Sequence, residues 1–124
     1  MTSDLRLRVY LSNQMSRKAE HNFPWFKAVA VDLRRQGIWV LPPNEIMHGE
    51  TQHFNDGWTH QDYVNADIAS MMDQCNAVAI GPHWQNSEGS RREVSVALLA
   101  GWPIYKVVLK FPLFPSLGYK LELI

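Results

Sequence analysis

Short apolar runs alternating with helix-patterned segments constrain this chain more than any other feature. Runs of four to nine residues are too short for core helices. They read as strands of a mostly parallel sheet, with the intervening segments crossing over as helices. "LRLRVYLS" (5–12) has arginines alternating with Leu5, Leu7 and Val9 and then turns fully apolar, as a strand passing into a buried sheet does. "IWVL" (38–41), "AVAIG" (77–81) and "PIYKVVLKF" (103–111) supply a second, third and fourth strand, and "YKLELI" (119–124) a short fifth. Pro24 suits the first turn of a helix that runs to Arg35, buries Phe26, Val29, Ala30 and Leu33, and ends at Gly37. A second helix fits residues 61–74, with Val64, Ile68, Met71, Met72 and Cys75 on its apolar stripe, and a third starts near Ser87 to Gly89. The fold class expected is α/β: a three-layer sandwich around a parallel sheet of four to five strands, formed as one domain over residues 1–124, which is enough chain for one real core.

Charge and cysteine content narrow the partners. Twelve basic and twelve acidic residues balance, so no overall positive field draws the chain to nucleic acid. A single cysteine, Cys75, excludes an internal disulfide framework and fits a reducing compartment. The N-terminal "MTSDLRLRVYL" lacks the apolar run of a signal peptide, and no stretch approaches the roughly 20 residues of a membrane span. A cytoplasmic protein with no nucleic-acid or membrane partner is expected. His48, His53 and His60 share one loop but match no zinc spacing, and neither a Gly-rich dinucleotide loop nor a P-loop is present, so no metal and no cofactor are expected.

In a parallel sheet of this kind, ligands bind at the carboxyl edge where strand order reverses, which directs attention to loops 12–23, 42–61 and 82–90. The 44–60 segment has no clear period and is long for a connection in a small domain. In the third helix the polar stripe is Glu88, Arg91, Arg92 and Ser95, while Val94, Ala97, Leu98 and Gly101 read as inward-facing. Glu93 heads a second apolar row with Val96, Ala97 and Ala100, which places a carboxylate beside the sheet edge. Three readings of Glu93 stand open: a capping box with Ser90 in "SRRE", a salt bridge to another helix or subunit, and a nucleophile or sugar anchor facing a crevice. "SEGS" (87–90) puts two hydroxyls and a glycine at a helix start, where free amides favour a phosphate, and Ser12, Ser16 and Arg17 stand at the neighbouring strand end. Asp67 sits on a helical row with Tyr63, Met71 and Gln74, at the margin between buried and exposed faces. Paired with Glu93 it would complete the two-carboxylate set of glycosidic chemistry.

"VYLSNQMS", "NFPWFKAVAVDLRRQGIWVLPP", "DIASMMDQCNAVAIGPHW" and "SEGSRREVSVALLAGWPIY" together resemble the nucleoside 2-deoxyribosyltransferase-like superfamily over residues 6–109, in particular its short phage and bacterial members and its nucleoside 5′-monophosphate N-glycosidases. The most specific element is the Ser-x-Gly-x-x-x-Glu run followed by small residues and Gly-x-Pro. The resemblance implies a flavodoxin-like sheet and cleavage of the bond between a base and C1′ of a (deoxy)ribose. It implies Glu93 as nucleophile, Asp67 as the assisting group at the base, and Tyr10 beneath the sugar. Ser87, Gly89 and Ser90, with Ser12, Ser16 and Arg17, would hold a 5′-phosphate, since Ser87 stands where the transferases carry an aspartate. A small nucleotide or nucleoside as substrate and a homodimer or larger homo-oligomer are likewise implied. Asn13-Gln14 replaces a Gly-Pro type of turn, Arg91-Arg92 adds two cations beside Glu93, and Asn76 stands where relatives carry aspartate. The rival readings are a nucleotide-binding module without turnover and a phage-type protein that binds a host protein through Trp25, Trp39, Trp58, Trp84 or Trp102.

Overall fold

The computed structural model describes residues 6–15, 18–48, 51–52 and 57–124. Strand β1 (Arg8–Ser12) leads through a short 3-10 turn into helix α1 (Phe23–Arg35), followed by β2 (Trp39–Leu41). A second 3-10 turn, Pro43–Glu45, precedes a two-stranded antiparallel hairpin, β3 (Met47–His48) and β4 (Thr51–Gln52). Helix α2 (His60–Gln74), β5 (Ala77–Ile80), α3 (Glu88–Leu99), β6 (Ile104–Leu109) and β7 (Tyr119–Leu123) complete the chain. The main sheet has the order β2-β1-β5-β6-β7, parallel throughout except that β7 runs antiparallel to β6. This is the α/β three-layer, flavodoxin-like sandwich that the alternation of patterns predicts.

Alternation within the central strands assigns the layers. Val9 and Leu11 of β1, with Ala77 and Ala79 of β5, pack against Phe26, Val29, Ala30 and Leu33 of α1. Tyr10 of β1 with Val78 and Ile80 of β5 face the other way, toward Met71 of α2 and Val94 and Ala97 of α3. A strand buried on both faces must be apolar at nearly every position, which is why β1 and β5 read as runs. Burying Phe26 or Leu33 fully contributes roughly 1.5–3 kcal/mol each.

Local rules explain most boundaries. Thr59 and Asp62 form a reciprocal capping box that starts α2, and Ser87 caps α3 by accepting from the Ser90 amide. The residues just past α1 turn it off: Gly37, with φ 84°, donates to the Arg34 carbonyl, and Ile38 to that of Leu33. The ladder of β1 starts at Arg8, three residues later than the alternation of Leu5 and Leu7 suggests. There Asn76 accepts from the Arg8 amide (2.7 Å) and donates to the Arg6 carbonyl (3.0 Å), a pair of bonds an aspartate could not make. Met72 and Leu98, read as stripe residues, are exposed instead. The long polar 44–60 connection contains the β3–β4 hairpin, and His53 in it lies outside the described residues.

The carboxyl end of β5 is fastened to that of β1 by Asn13, whose Oδ1 accepts from the amides of Gln14 and His83, both at 2.9 Å. The Asn13 carboxamide lies where a side chain on Gly81 would begin, with the Trp25 ring next to it. Gly81→Ala is therefore expected to destabilise the fold by about 1–3 kcal/mol. A thermal melt checks this, and an unchanged melting temperature would contradict the tight approach.

Candidate active site

The sheet order places the reversal between β1 and β5, because the chain moves from β1 outward to β2 and then returns across β1 to β5. At that edge the odd–even alternation that sends Val9 and Leu11 to α1 sends Tyr10 and Ser12 toward α3. Cap Ser87 sets the helical phase of α3, so that Gly89, Ser90, Glu93 and Ala97 lie on one buried face. Glu93 then meets the two hydroxyls of β1: Tyr10 Oη donates to Oε2 at 2.7 Å and Ser12 Oγ to Oε1 at 2.8 Å. Both donors are wholly buried and Glu93 is 5% exposed.

One of the three open readings of Glu93, the capping box, is settled by this geometry. Its carboxylate does not fold back on the Ser90 amide, which is occupied by Ser87 Oγ at 3.2 Å, and it forms no ion pair among the described residues. The adjacent arginines also turn away. Arg91 donates to the Gln85 carbonyl, and Arg92 bridges Gln61 of α2 and Glu88 of its own helix.

Asp67 is 6% exposed, so the margin assigned to it from its helical row is in fact interior. Burial pushes its carboxyl well above the ordinary carboxylate range, and the neighbouring Glu93 charge pushes it further. Glu93 is also raised by burial, but the hydrogen bonds from Tyr10 and Ser12 pull it back down. Of the two acids, Asp67 is thus the better holder of a proton and Glu93 the better anion. Burial, reinforced by the Glu93 charge, raises Tyr10 far above its usual value, so its hydroxyl stays a donor.

These side chains border a cavity of about 280 Å³. Glu93 and Asp67 lie along its wall with Ser87, Gly89 and Ser90 from the start of α3 and His60, Tyr63 and Val64 from the start of α2. Tyr10 and Ser12 are not among its lining residues; their hydroxyls are committed to Glu93, so Ser12 braces the carboxylate where a phosphate contact was expected. Ser16 and Arg17 lie outside the described residues. The structure thus brings together Tyr10 and Ser12 of β1, Asp67 of α2, and Ser87, Gly89, Ser90 and Glu93 at the start of α3.

Seven wall residues are not among the site residues expected from the sequence: Asn13, Met15, His21, Pro43, His60, Tyr63 and Val64. For α2 the signal was present, since His60, Tyr63, Val64 and Asp67 stand at helical spacings of three, four and seven and make one face. His21 gave none. It enters the cavity wall from a turn in which His21 and Asn22 take φ of 55° and 62°, a conformation that non-glycine residues adopt at a cost. Asn22 is held there by a bond from its side chain to the Gln14 carbonyl at 2.9 Å. Among the described residues no group of three or more side chains is arranged to hold a metal ion, and no helix is long and apolar enough to cross a membrane.

A family model described as a domain of unknown function (DUF4406) matches residues 7–106, from the start of β1 into β6, so the β6–β7 connection and β7 lie outside the match. No curated protein matches the chain.

The raised acids make stability depend on pH with a definite sign. A carboxyl whose folded pKa is raised stabilises the fold fully below its unfolded value, and that contribution is lost as pH climbs through the folded value. The melting temperature should therefore fall between about pH 5 and about pH 9, and Asp67→Asn, which is neutral throughout, should flatten that fall. Parallel pH–melting curves for the two proteins test it; superimposable slopes would show Asp67 to be an ordinary carboxylate.

Proposed function

The chain belongs to the DUF4406 family, and we propose that it cleaves the base–sugar bond of a (deoxy)nucleoside 5′-monophosphate, as an N-glycosidase or a deoxyribosyltransferase. The observation that carries this reading is a buried glutamate with each carboxylate oxygen held by a hydroxyl, next to an acid of still higher pKa, on one cavity wall. Environments that push two carboxyls apart in this way suit one for attack and the other for proton delivery. The resemblance to the nucleoside 2-deoxyribosyltransferase-like superfamily supports the same roles for the same residues.

Tyr10 and Ser12 fix the Glu93 carboxylate and spread its charge over both oxygens, leaving it aimed at C1′. As a Glu93 oxygen bonds to C1′, the C1′–N bond breaks and its electron pair leaves with the base, which takes the Asp67 proton. A water, or the nitrogen of a second base, then attacks C1′ of the glycosyl ester. It gives its proton to the Asp67 carboxylate, and Glu93 is released unchanged. At the start of α3 the Glu88 and Gly89 amides, with the Ser87 and Ser90 hydroxyls, bind the phosphate; these amides have no carbonyl partner within the helix and sit at its positive end. Positioning by the phosphate holds C1′ against Glu93.

The direct test is incubation with a panel of ribo- and deoxyribonucleoside 5′-monophosphates, followed by chromatography for free base. Base release from at least one is expected. A nucleotide that raises the melting temperature but yields no base would instead identify a binding module. Glu93→Gln should abolish release, by on the order of 10³-fold or more, with the fold intact. Asp67→Asn should slow it by roughly 10²–10⁴-fold. The wild-type rate should trace a bell against pH whose two limbs belong to the carboxyl pair and lie above the ordinary carboxylate range, because activity needs Glu93 ionised and Asp67 protonated together. Ser87→Ala should raise KM for nucleotides more than for nucleosides; equal effects would remove the phosphate from this position.

A further inference from the structure

We propose that β7 is a dimerisation edge, on which two copies of this chain pair their β7 strands antiparallel about a two-fold axis through Leu121 and so join their sheets. This inference is independent of the glycosidase reading. It starts from the phase of the β6–β7 ladder. Lys110 N–H donates to the Gly118 carbonyl and Ile124 N–H to that of Ile104, so the even-numbered residues of β7 bond to β6. The main-chain groups of Tyr119, Leu121 and Leu123 consequently point away from the sheet. Only the Tyr119 carbonyl of these is engaged among the described residues, by the Gln36 side chain at 2.8 Å.

The side chains of β7 select a second copy as the occupant. With Leu121 opposite Leu121 of the second copy as a hydrogen-bonded pair, each Lys120 stands directly across from Glu122 of the second copy, in the closer, non-hydrogen-bonded type of pair. Both side chains are nearly half exposed; on the single chain they form only long contacts, Lys120 to Glu122 at 3.7 Å and Lys106 to Glu122 at 3.8 Å, which a partner across the edge can replace. A plus–minus pair spaced two residues apart is its own complement when read backwards, as a two-fold interface requires. The apolar surface follows the same symmetry. Phe111, Leu113, Phe114 and Leu117 are exposed in the connection at one end of β7, and Leu123 and Ile124 at the other. The antiparallel arrangement lays the connection of each copy beside Leu123 and Ile124 of the other, covering an edge that would otherwise invite aggregation.

The test is a charge-swap experiment read by light scattering coupled to size-exclusion chromatography over a wide concentration range. The wild type is expected to be a dimer. Lys120→Glu and Glu122→Lys alone each place like charges across both symmetry-related pairs and should weaken the dimer about tenfold. An equimolar mixture of the two variants restores opposite charges at both pairs, and heterodimers should form with wild-type affinity. Thermal melts of each variant confirm that the monomer remains folded. A wild type that stays monomeric at every concentration overturns the proposal, and so does a dimer that neither substitution weakens.

Discussion

The carboxylate of Glu93 is the point on which the arrangement of the other elements depends. An ionisable group taken out of water is costly unless its oxygens are satisfied, and here the two satisfying groups are consecutive inward residues of β1. That fixes the rotation of α3 about its axis and its distance from the sheet. Ala97 is small where it packs in the cluster with Tyr10, Val78 and Ile80, and Gly89 leaves room for Val64 of α2. Replacing such a buried polar cluster by apolar side chains of similar volume is generally neutral or stabilising. The fold alone gives no reason for a tyrosine, a serine and a glutamate to converge there, and a chemical role on the proposed reading does.

Much of this fold is visible in the sequence because burial on both faces leaves β1 and β5 no choice but apolar residues. The layers, the sheet and Glu93's place on an inward row all follow from that rule. What the sequence hides are pairings over long separations: Tyr10 and Ser12 lie 83 and 81 residues from Glu93, and nothing local marks them as its donors. Leu98 shows a different difficulty. Two overlapping apolar rows exist on α3, and the chain buries the face between them, Glu93, Val94 and Ala97, leaving Leu98 63% exposed. Hydrophobic spacing alone could not pick out that face; the hydroxyl–carboxylate bonds fix it.

Asp67 illustrates the same point on α2. Its neighbours suggest a boundary position, since Gln74 on the same row is exposed and Met71 buried. Val64, Asp67 and Met71 nevertheless make one buried face, and Gln74 is exposed as the last residue of the helix. That exposed end of the row is what misplaces Asp67. The Arg92 bridge from Glu88 to Gln61 ties the starts of α2 and α3 together.

Because both helices begin at the cavity, its electrostatics fall into two zones. Helix-end fields act mainly within the first turn and are worth about 0.3–1 kcal/mol at exposed positions. They reach His60 and the Ser87–Ser90 segment, but Asp67 and Glu93 lie more than a turn further along their helices. At those positions desolvation outweighs any helix-end stabilisation, which is why both acids are raised. The outer zone favours a fixed anion, whereas the inner zone favours a shared, mobile proton. On the proposed reading, a substrate that carries a phosphate at one end and breaks a bond needing proton delivery at the other matches that division.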